Sequence, residues 1–513
     1  MKELTEIVNF VTSVIKVHPD HLKTVLGKQG DKMPVKLFNG ILTEQITTDE
    51  QAMKLLYGNI PLTGKYRMLK ARFKDRLLDM AFLGDTNRLM KTPYSRSLYQ
   101  AQRNILVAQL LIQKDKRQLA VSLLKQALNT ALNFQHPAMA VNACRLLCYH
   151  EAYSGNDKNL SYYENVYAHQ QCLMLKEMEL ESLYNRIIAK VVLSADYDSN
   201  TRQLISKNFE KATGIYKKYN SYSIALYYHR CAMRYYHSRG NFEEVIRVCH
   251  KFTAYLEANI HLSQPSRAGE FALYEMESCM RLKQFEKGKL CAQRCLNDFT
   301  PFKTPWLQFQ EYYFLLAMRT GNIRDALEIF SAVTSCSQFK RLPDIQKERW
   351  RIHEAYLNFA LPDELPKKQF NLFKFLNQVP LSNRDKPGYN FSILLAQVIL
   401  LININDTDKL INIEFSFREY LRRNIKKSSH PRHYYFGEML RLFFKNNYSM
   451  EGIKEQAAAC LKKMNVTQSG QSLEETEIIP YETLWQMLEE KCKVQLENSK
   501  NPLKISVKAS VKT

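Results

Sequence analysis

The sequence predicts an all-α fold: an antiparallel helical-hairpin array with no sheet. Three observations carry that prediction. Glycine and proline are scarce, 16 of each in 513 residues, or about 3% apiece against the roughly 7% and 5% of an average protein. An all-β chain needs a turn every ten residues or so, which so few turn-formers do not supply. Hydrophobic residues make up 45% of the chain, too many for a disordered protein and too evenly spread for membrane spans. Finally, apolar residues at helical period recur in pairs of segments separated by breaks of two or three residues.

Residues 1–90 read as a helical leader. Thr48-Asp49-Glu50-Gln51 is a capping box, with Thr48 capping and Gln51 reaching back. The helix it starts runs through Leu56 and is stopped by Gly58 and Pro61. A second helix, near Lys65 to Leu83, is expected to bury Met68, Leu69, Phe73, Leu77 and Met80.

Residues 91–360 carry the paired pattern. One copy spans Ser221 to Leu256: Ala232, Met233 and Tyr236 on the first helix, the turn Arg239-Gly240-Asn241, then Phe242, Val245, Cys249 and Phe252. Another spans Gly269 to Cys295, with Ala272, Met276 and Cys279, then Phe285, Gly288, Ala292 and Cys295. A third spans Leu307 to Val333, turning at Gly321-Asn322, and a fourth Asn104 to Ala127, broken at Lys114-Asp115-Lys116. Small residues fall where two helix axes cross and large ones where the next pair must be filled. Gly240 and Gly321 turn the chain at helix ends.

This grammar resembles the tetratricopeptide repeat over roughly Ser97 to Phe359. The intervals, 43 residues from Phe242 to Phe285 and 38 from Phe285 to Ile323, exceed the family's roughly 34. The resemblance therefore implies a degenerate, longer-helix α-solenoid. It also implies a concave groove lined by first-helix residues. Carried onto this chain, these are Arg230, Arg234 and His237, then Glu277, Met280 and Arg281, then Glu311 and Arg319. Arg281 and Arg319 occupy equivalent places. Four arginines along one groove suit an acidic peptide or a chain-terminal carboxylate, because guanidinium forks pair carboxylates bidentately. The competing reading pairs the same arginines with Glu270, Glu277 or Glu311.

Residues 361–467 read as a C-terminal helical region that continues the array. After a Pro-punctuated link from Pro362 to Pro366 come Phe370 to Leu376, the loop 380–388, an apolar helix Tyr389 to Leu401, and helices at Asp408 to Ile425 and His433 to Phe444. This order is similar to the C-terminal portion of uncharacterised bacterial helical-repeat proteins, and the similarity implies no activity. Residues 468–513 read as a linker, a final helix from Tyr481 to Leu496 and a fraying tail with lysines at 500, 504, 508 and 512.

Motifs for chemistry are sparse. Cys144/Cys148 and Cys291/Cys295 have the i,i+4 spacing that presents two thiolates to zinc, but no second pair stands near either, and core packing is the stronger reading. His18 and His21 flank a turn. His150-Glu151 and His353-Glu354 lack the second histidine of a zinc-protease helix. GxSxG, GxGxxG and GxxxxGK[ST] do not occur. Glu177/Glu181 and Glu474/Glu475 read as solvated faces. No catalytic residue, cofactor or metal ligand is nominated.

The formal charge is +22. Two basic stripes account for part of it: Arg67, Lys70 and Lys74, and Arg418, Arg422 and Lys426. With Tyr66, Phe73, Tyr420 and Tyr434 interleaved, they suit phosphates and stacked bases, which makes nucleic acid the alternative partner. The N-terminus carries acids at Glu3 and Glu6, unlike a signal peptide. The apolar run Phe391 to Ile402 has twelve residues, short of the roughly 20 a spanning helix needs. Eleven scattered cysteines read as reduced thiols, so a cytoplasmic protein is expected. Together these features predict a non-enzymatic protein-interaction scaffold; the alternatives are a nucleic-acid-associated protein that binds phosphates through the basic stripes, or an enzyme whose site is not visible in the sequence.

Overall fold

The computed structural model describes residues 1–14, 32–58, 63–81, 90–193, 197–361, 375, 389–427, 430–466 and 477–500. Among them are 21 α-helices and no strand. The expected all-α class is therefore what the chain adopts. Its contacts group into two units, Met1–Leu175 with Asn259–Gln264, and Lys176–Ala258 with Pro265–Thr513. The Pro362–Pro366 link, Phe370–Leu376 apart from Phe375, the loop 380–388, His18, His21, Glu474, Glu475 and the tail beyond 500 lie outside the described residues.

In the first unit, α1 (Lys2–Val14), α2 (Met33–Leu42), α3 (Asp49–Tyr57) and α4 (Thr63–Ala81) share a core of Leu4, Val8, Leu37, Phe38, Phe73 and Leu77. The capping box forms: Gln51 N–H donates to Thr48 Oγ1 at 3.3 Å and Thr48 N–H to Gln51 Oε1 at 3.2 Å. Gly58 ends α3 at φ +73°, a conformation glycine adopts without steric cost. On α4 the buried stripe is Tyr66, Phe73, Leu77 and Met80, whereas Met68, expected inside, is 57% exposed. The reason is register. Met68 precedes Phe73 by five residues, about 140° around the helix from it, and Tyr66 takes the inward position.

A second core of this unit joins α5 (Pro93–Gln113), α6 (Arg117–Asn133), α7 (Pro137–Tyr153) and the start of α8 (Asp157–Leu193). Ala108, Ala120, Ala127, Ala131, Ala140 and Ala143 are all fully buried. Alanine at each crossing lets the backbones approach closely. α8 serves both units, changing over after Leu175.

The second unit continues from α8 with α9 (Ser199–Lys218), α10 (Tyr222–His237), α11 (Phe242–Ala258), α12 (Pro265–Arg281), α13 (Phe285–Cys295), α14 (Thr304–Arg319), α15 (Ile323–Thr334) and α16 (Asp344–Ala360). Then come α17 (Tyr389–Ile404), α18 (Thr407–Asn424), α19 (Pro431–Lys445), α20 (Lys454–Val466) and α21 (Tyr481–Lys500). Consecutive helices from α9 to α13 pack as antiparallel pairs, and α12 packs directly on α14. Gly240 and Gly321 sit at two hairpin turns with φ +69° and +78°. Gly288 marks a close approach: a Cβ there would meet Leu316 Cδ2 at 2.2 Å. One core runs from Ile246 to Cys492. α17 is apolar on every side and buried from Phe391 to Ile402, as a central helix must be. α20 is a helix the apolar pattern did not mark, because its run Lys-Glu-Gln-Ala-Ala-Ala-Cys has weak amphipathicity. Among the described residues no helix is long and apolar enough to cross a membrane.

Candidate functional site

The most organised polar feature lies between α10 and α12. Ser221 starts α10 by accepting the Ile224 N–H at 3.2 Å. Along α10, Arg230, Arg234 and His237 follow at steps of four and three, so they share one face. Along α12, Glu270, Tyr274 and Glu277 follow at the same steps, with Arg281 one turn beyond. The two faces meet rung by rung, each pair 40 residues apart. Arg230 is ion-paired with Glu270 through Nη2, and its Nε donates to the same carboxylate at 3.1 Å. Arg234 lies over the Tyr274 ring at 4.9 Å. His237 Nε2 is 3.1 Å from Glu277 Oε1.

Side groups join the rungs into one network. Tyr184 of α8 donates to Glu270 at 3.4 Å, and its ring lies 5.1 Å from the Arg230 guanidinium. Arg234 lies close to the Tyr184 and Tyr197 hydroxyls. Tyr197 lies 3.2 Å from His237 Nδ1. Arg281 closes the chain on Glu277 at 3.4 Å. Burial works against charge on Glu277, yet hydrogen bonds from His237 and Arg281 outweigh it and hold that carboxyl below its ordinary value.

The charges do not balance evenly. Arg230 takes Glu270 and Arg281 takes Glu277. Among the described residues Arg234 takes no carboxylate, and its Nε is buried without an acceptor. A mostly buried guanidinium with tyrosines for neighbours keeps most of its positive charge uncompensated. A further rung joins α14 to α16: Glu311 accepts from Arg349 at 3.0 Å and lies 3.4 Å from His353, 38 and 42 residues away.

The other expected groove residues fall differently. Met280 is fully buried and belongs to the core. Arg319 donates Nε–H to the Glu477 carbonyl at 2.8 Å, beside α21. Thus Arg281 and Arg319, equivalent as the last residues of α12 and α14, have different partners. Tyr184, Tyr197 and Tyr274 escaped sequence reasoning. Only Tyr274 carried a usable signal, its offset of 40 residues from Arg234.

In the first unit's stripe, Lys70 is held by Asp49 at 2.7 Å, Lys74 is ion-paired with Glu3, and Arg67 is exposed. In the second unit's stripe, Arg418 pairs with Glu414 at 2.9 Å, Arg422 pairs with Glu419 at 2.9 Å, and Lys426 is exposed. Tyr66, Phe73 and Tyr420 are core residues and are not available for stacking bases. Core packing claims Cys144 and Cys291. Among the described residues no group of three His, Cys, Asp or Glu side chains is placed to hold a metal.

Glu177 corrects another expectation, because it is not on a solvated face. It accepts from Ser221 Oγ at 2.6 Å, and burial pushes its carboxyl up to about 7. A raised acid favours the folded state while it holds its proton. That stability is full below the unfolded carboxyl value and is lost as pH rises toward the folded one. Glu177→Gln, which mimics the protonated form, is therefore expected to stabilise the protein at about pH 8 by on the order of 1–2 kcal/mol and to change little at about pH 4. Thermal denaturation at both pH values checks this, and equal shifts at the two would contradict it.

No family model matches the chain, no curated protein matches it, and no solved structure matches it.

Proposed function

We propose that the protein is a non-enzymatic interaction scaffold, a degenerate tetratricopeptide-like array whose first helices dock an acidic segment of a protein partner. The observation that carries this reading is the Arg234 rung. On a face where the neighbouring arginines have carboxylates, Arg234 has tyrosines and no counter-charge. A peptide carboxylate supplies the missing charge. Rung partners separated by 38 to 42 residues support the repeat reading, since their spacing equals the interval between hairpins. The basic stripes favour this partner over nucleic acid, because Lys70, Lys74, Arg418 and Arg422 already face carboxylates.

Fluorescence anisotropy with glutamate-rich peptides tests the proposal. Wild type is expected to bind them, and Arg234→Gln to weaken binding by about tenfold, the loss of one charge-assisted contact. Arg422→Gln, on an exposed stripe, is the control expected to bind as wild type. Amidating the peptide's C-terminus separates a chain-terminal carboxylate from side-chain ones. Equal affinity of wild type and Arg234→Gln would overturn the assignment.

A further inference from the structure

Helix α13 ends in Cys291-Ala292-Gln293-Arg294-Cys295, so two thiols stand one turn apart on one face. Cys291 is fully buried, with Sγ 3.8 Å from the Ala272 carbonyl of α12, and Cys295 is 7% exposed. The Cys291 S–H donates to that carbonyl, so the two sulfurs differ in their partners. Arg294 donates Nε–H to Cys295 Sγ at 3.4 Å, and its Nη2 is anchored on Glu275 at 2.6 Å. His250 approaches the other Glu275 oxygen at 2.9 Å. The Glu275 side chain is buried, whereas Arg294 and His250 reach the surface. A guanidinium is thus held in place against one sulfur of the pair, close to solvent.

The two thiols are made unequal. The neighbouring Cys291 and the Arg294 N–H on its sulfur draw Cys295 down against the cost of burial, and Cys291 is pushed up. The helix C-terminus and Glu275 both disfavour a thiolate here, and the guanidinium held on the Cys295 sulfur works against them. A thiolate beside an arginine is the reactive form of cysteine, and a neutral thiol one turn away is placed to resolve its oxidation.

We propose that Cys291 and Cys295 are a peroxide-responsive thiol pair, with Cys295 the attacking sulfur and Cys291 the resolving one. The Cys295 thiolate attacks one oxygen of hydrogen peroxide. The O–O bond breaks, hydroxide leaves and takes up a proton as water, and Cys295 becomes a sulfenic acid. Cys291 then gives up its proton as its sulfur attacks Cys295 Sγ. The S–O bond breaks and the departing hydroxide leaves as a second water. The thiol pair loses two electrons and peroxide gains two. Helix geometry sets the two Cα atoms about 6 Å apart, within the span of a disulfide. Cys295 is the last residue of α13, so only the helix end has to adjust. That end runs on to Phe299, which packs on Phe309 of α14 at 4.9 Å, and bond formation therefore reaches the next hairpin.

The test uses the full chain, folded, treated with dilute hydrogen peroxide, alkylated and digested with trypsin. Cleavage after Arg294 puts the two cysteines in separate peptides, Leu290–Arg294 and Cys295–Lys303, so the disulfide appears in mass spectra as a linked pair. Cys295 is expected to oxidise several-fold faster than the exposed Cys172. Cys291→Ser is expected to leave a sulfenic acid on Cys295 that dimedone traps, and Arg294→Leu to slow its formation. Oxidation of Cys172 as fast as Cys295, or oxidation of Cys295 with no linked peptide, would overturn the proposal. Unchanged circular dichroism of both variants separates lost reactivity from lost fold.

Discussion

Arg432→Ala is expected to cost about 3 kcal/mol of stability, the scale of breaking a buried ion pair by removing one partner. Arg432 sits between two carboxylates. Its Nε and Nη2 donate to Glu477 at 3.0 and 2.6 Å, and its Nη1 and Nη2 to Glu482 at 2.9 Å each. Glu477 in turn accepts the Tyr481 N–H at 3.0 Å near the start of α21, and its carbonyl accepts from Arg319 of α14. One guanidinium therefore holds α19 to the final helix, beside the buried Tyr481 and Trp485. Truncation leaves two carboxylates in a mostly buried place with their main cation gone. Lysine is not expected to rescue it, since a single ammonium lacks the planar fork that serves both acids. Burial works to raise the Glu482 carboxyl, but the Arg432 hydrogen bond outweighs it and holds it low. A depressed acid stabilises above its unfolded value, and that stability is lost as pH falls through the folded one. The deficit of Arg432→Ala should accordingly be largest near neutral pH and shrink in acid. Urea denaturation at both pH values checks this. A deficit independent of pH would mean that packing, not the ion pairs, carries the effect.

Glu277→Ala is expected to be of similar size, about 3 kcal/mol. Glu277 is 7% exposed and is shared by His237 and Arg281. Removing it takes the anion out of a rung whose cation is itself almost fully buried. Glu277→Gln keeps the shape and one acceptor oxygen and should lose clearly less. Thermal unfolding of the two variants side by side makes the comparison. Equal losses would show that volume rather than charge sets the cost. The same pair bears on the α10–α12 face as a whole, because Tyr197, His237 and Glu277 form one hydrogen-bonded series.

Much of the fold was legible because helices announce themselves locally. The Thr48 box, the turns at Gly240 and Gly321 and the hairpin from Ser221 to Leu256 depend on residues a few positions apart, and all form where the spacing places them. Met68 was misplaced because an apolar residue alone does not fix the phase of a helix; the partner surface does. α20 was missed because alanines pack without a marked apolar stripe. The site was half legible. Arg230, Arg234 and His237 were marked by register. Their partners lie 40 residues on, and nothing local distinguishes a glutamate that meets an arginine across two helices from one that faces water. Glu177 shows the same limit. Its surroundings come from Ser221, 44 residues away.

Hydrogen–deuterium exchange of the full chain, with and without a glutamate-rich peptide, tests the central claim most directly, because it reports where the peptide lies. Docking on the first-helix face predicts slowed exchange in 222–237 and 265–281, lost in Arg234→Gln. No change on adding peptide, or protection confined to the basic helices 63–81 or 407–424, would contradict it.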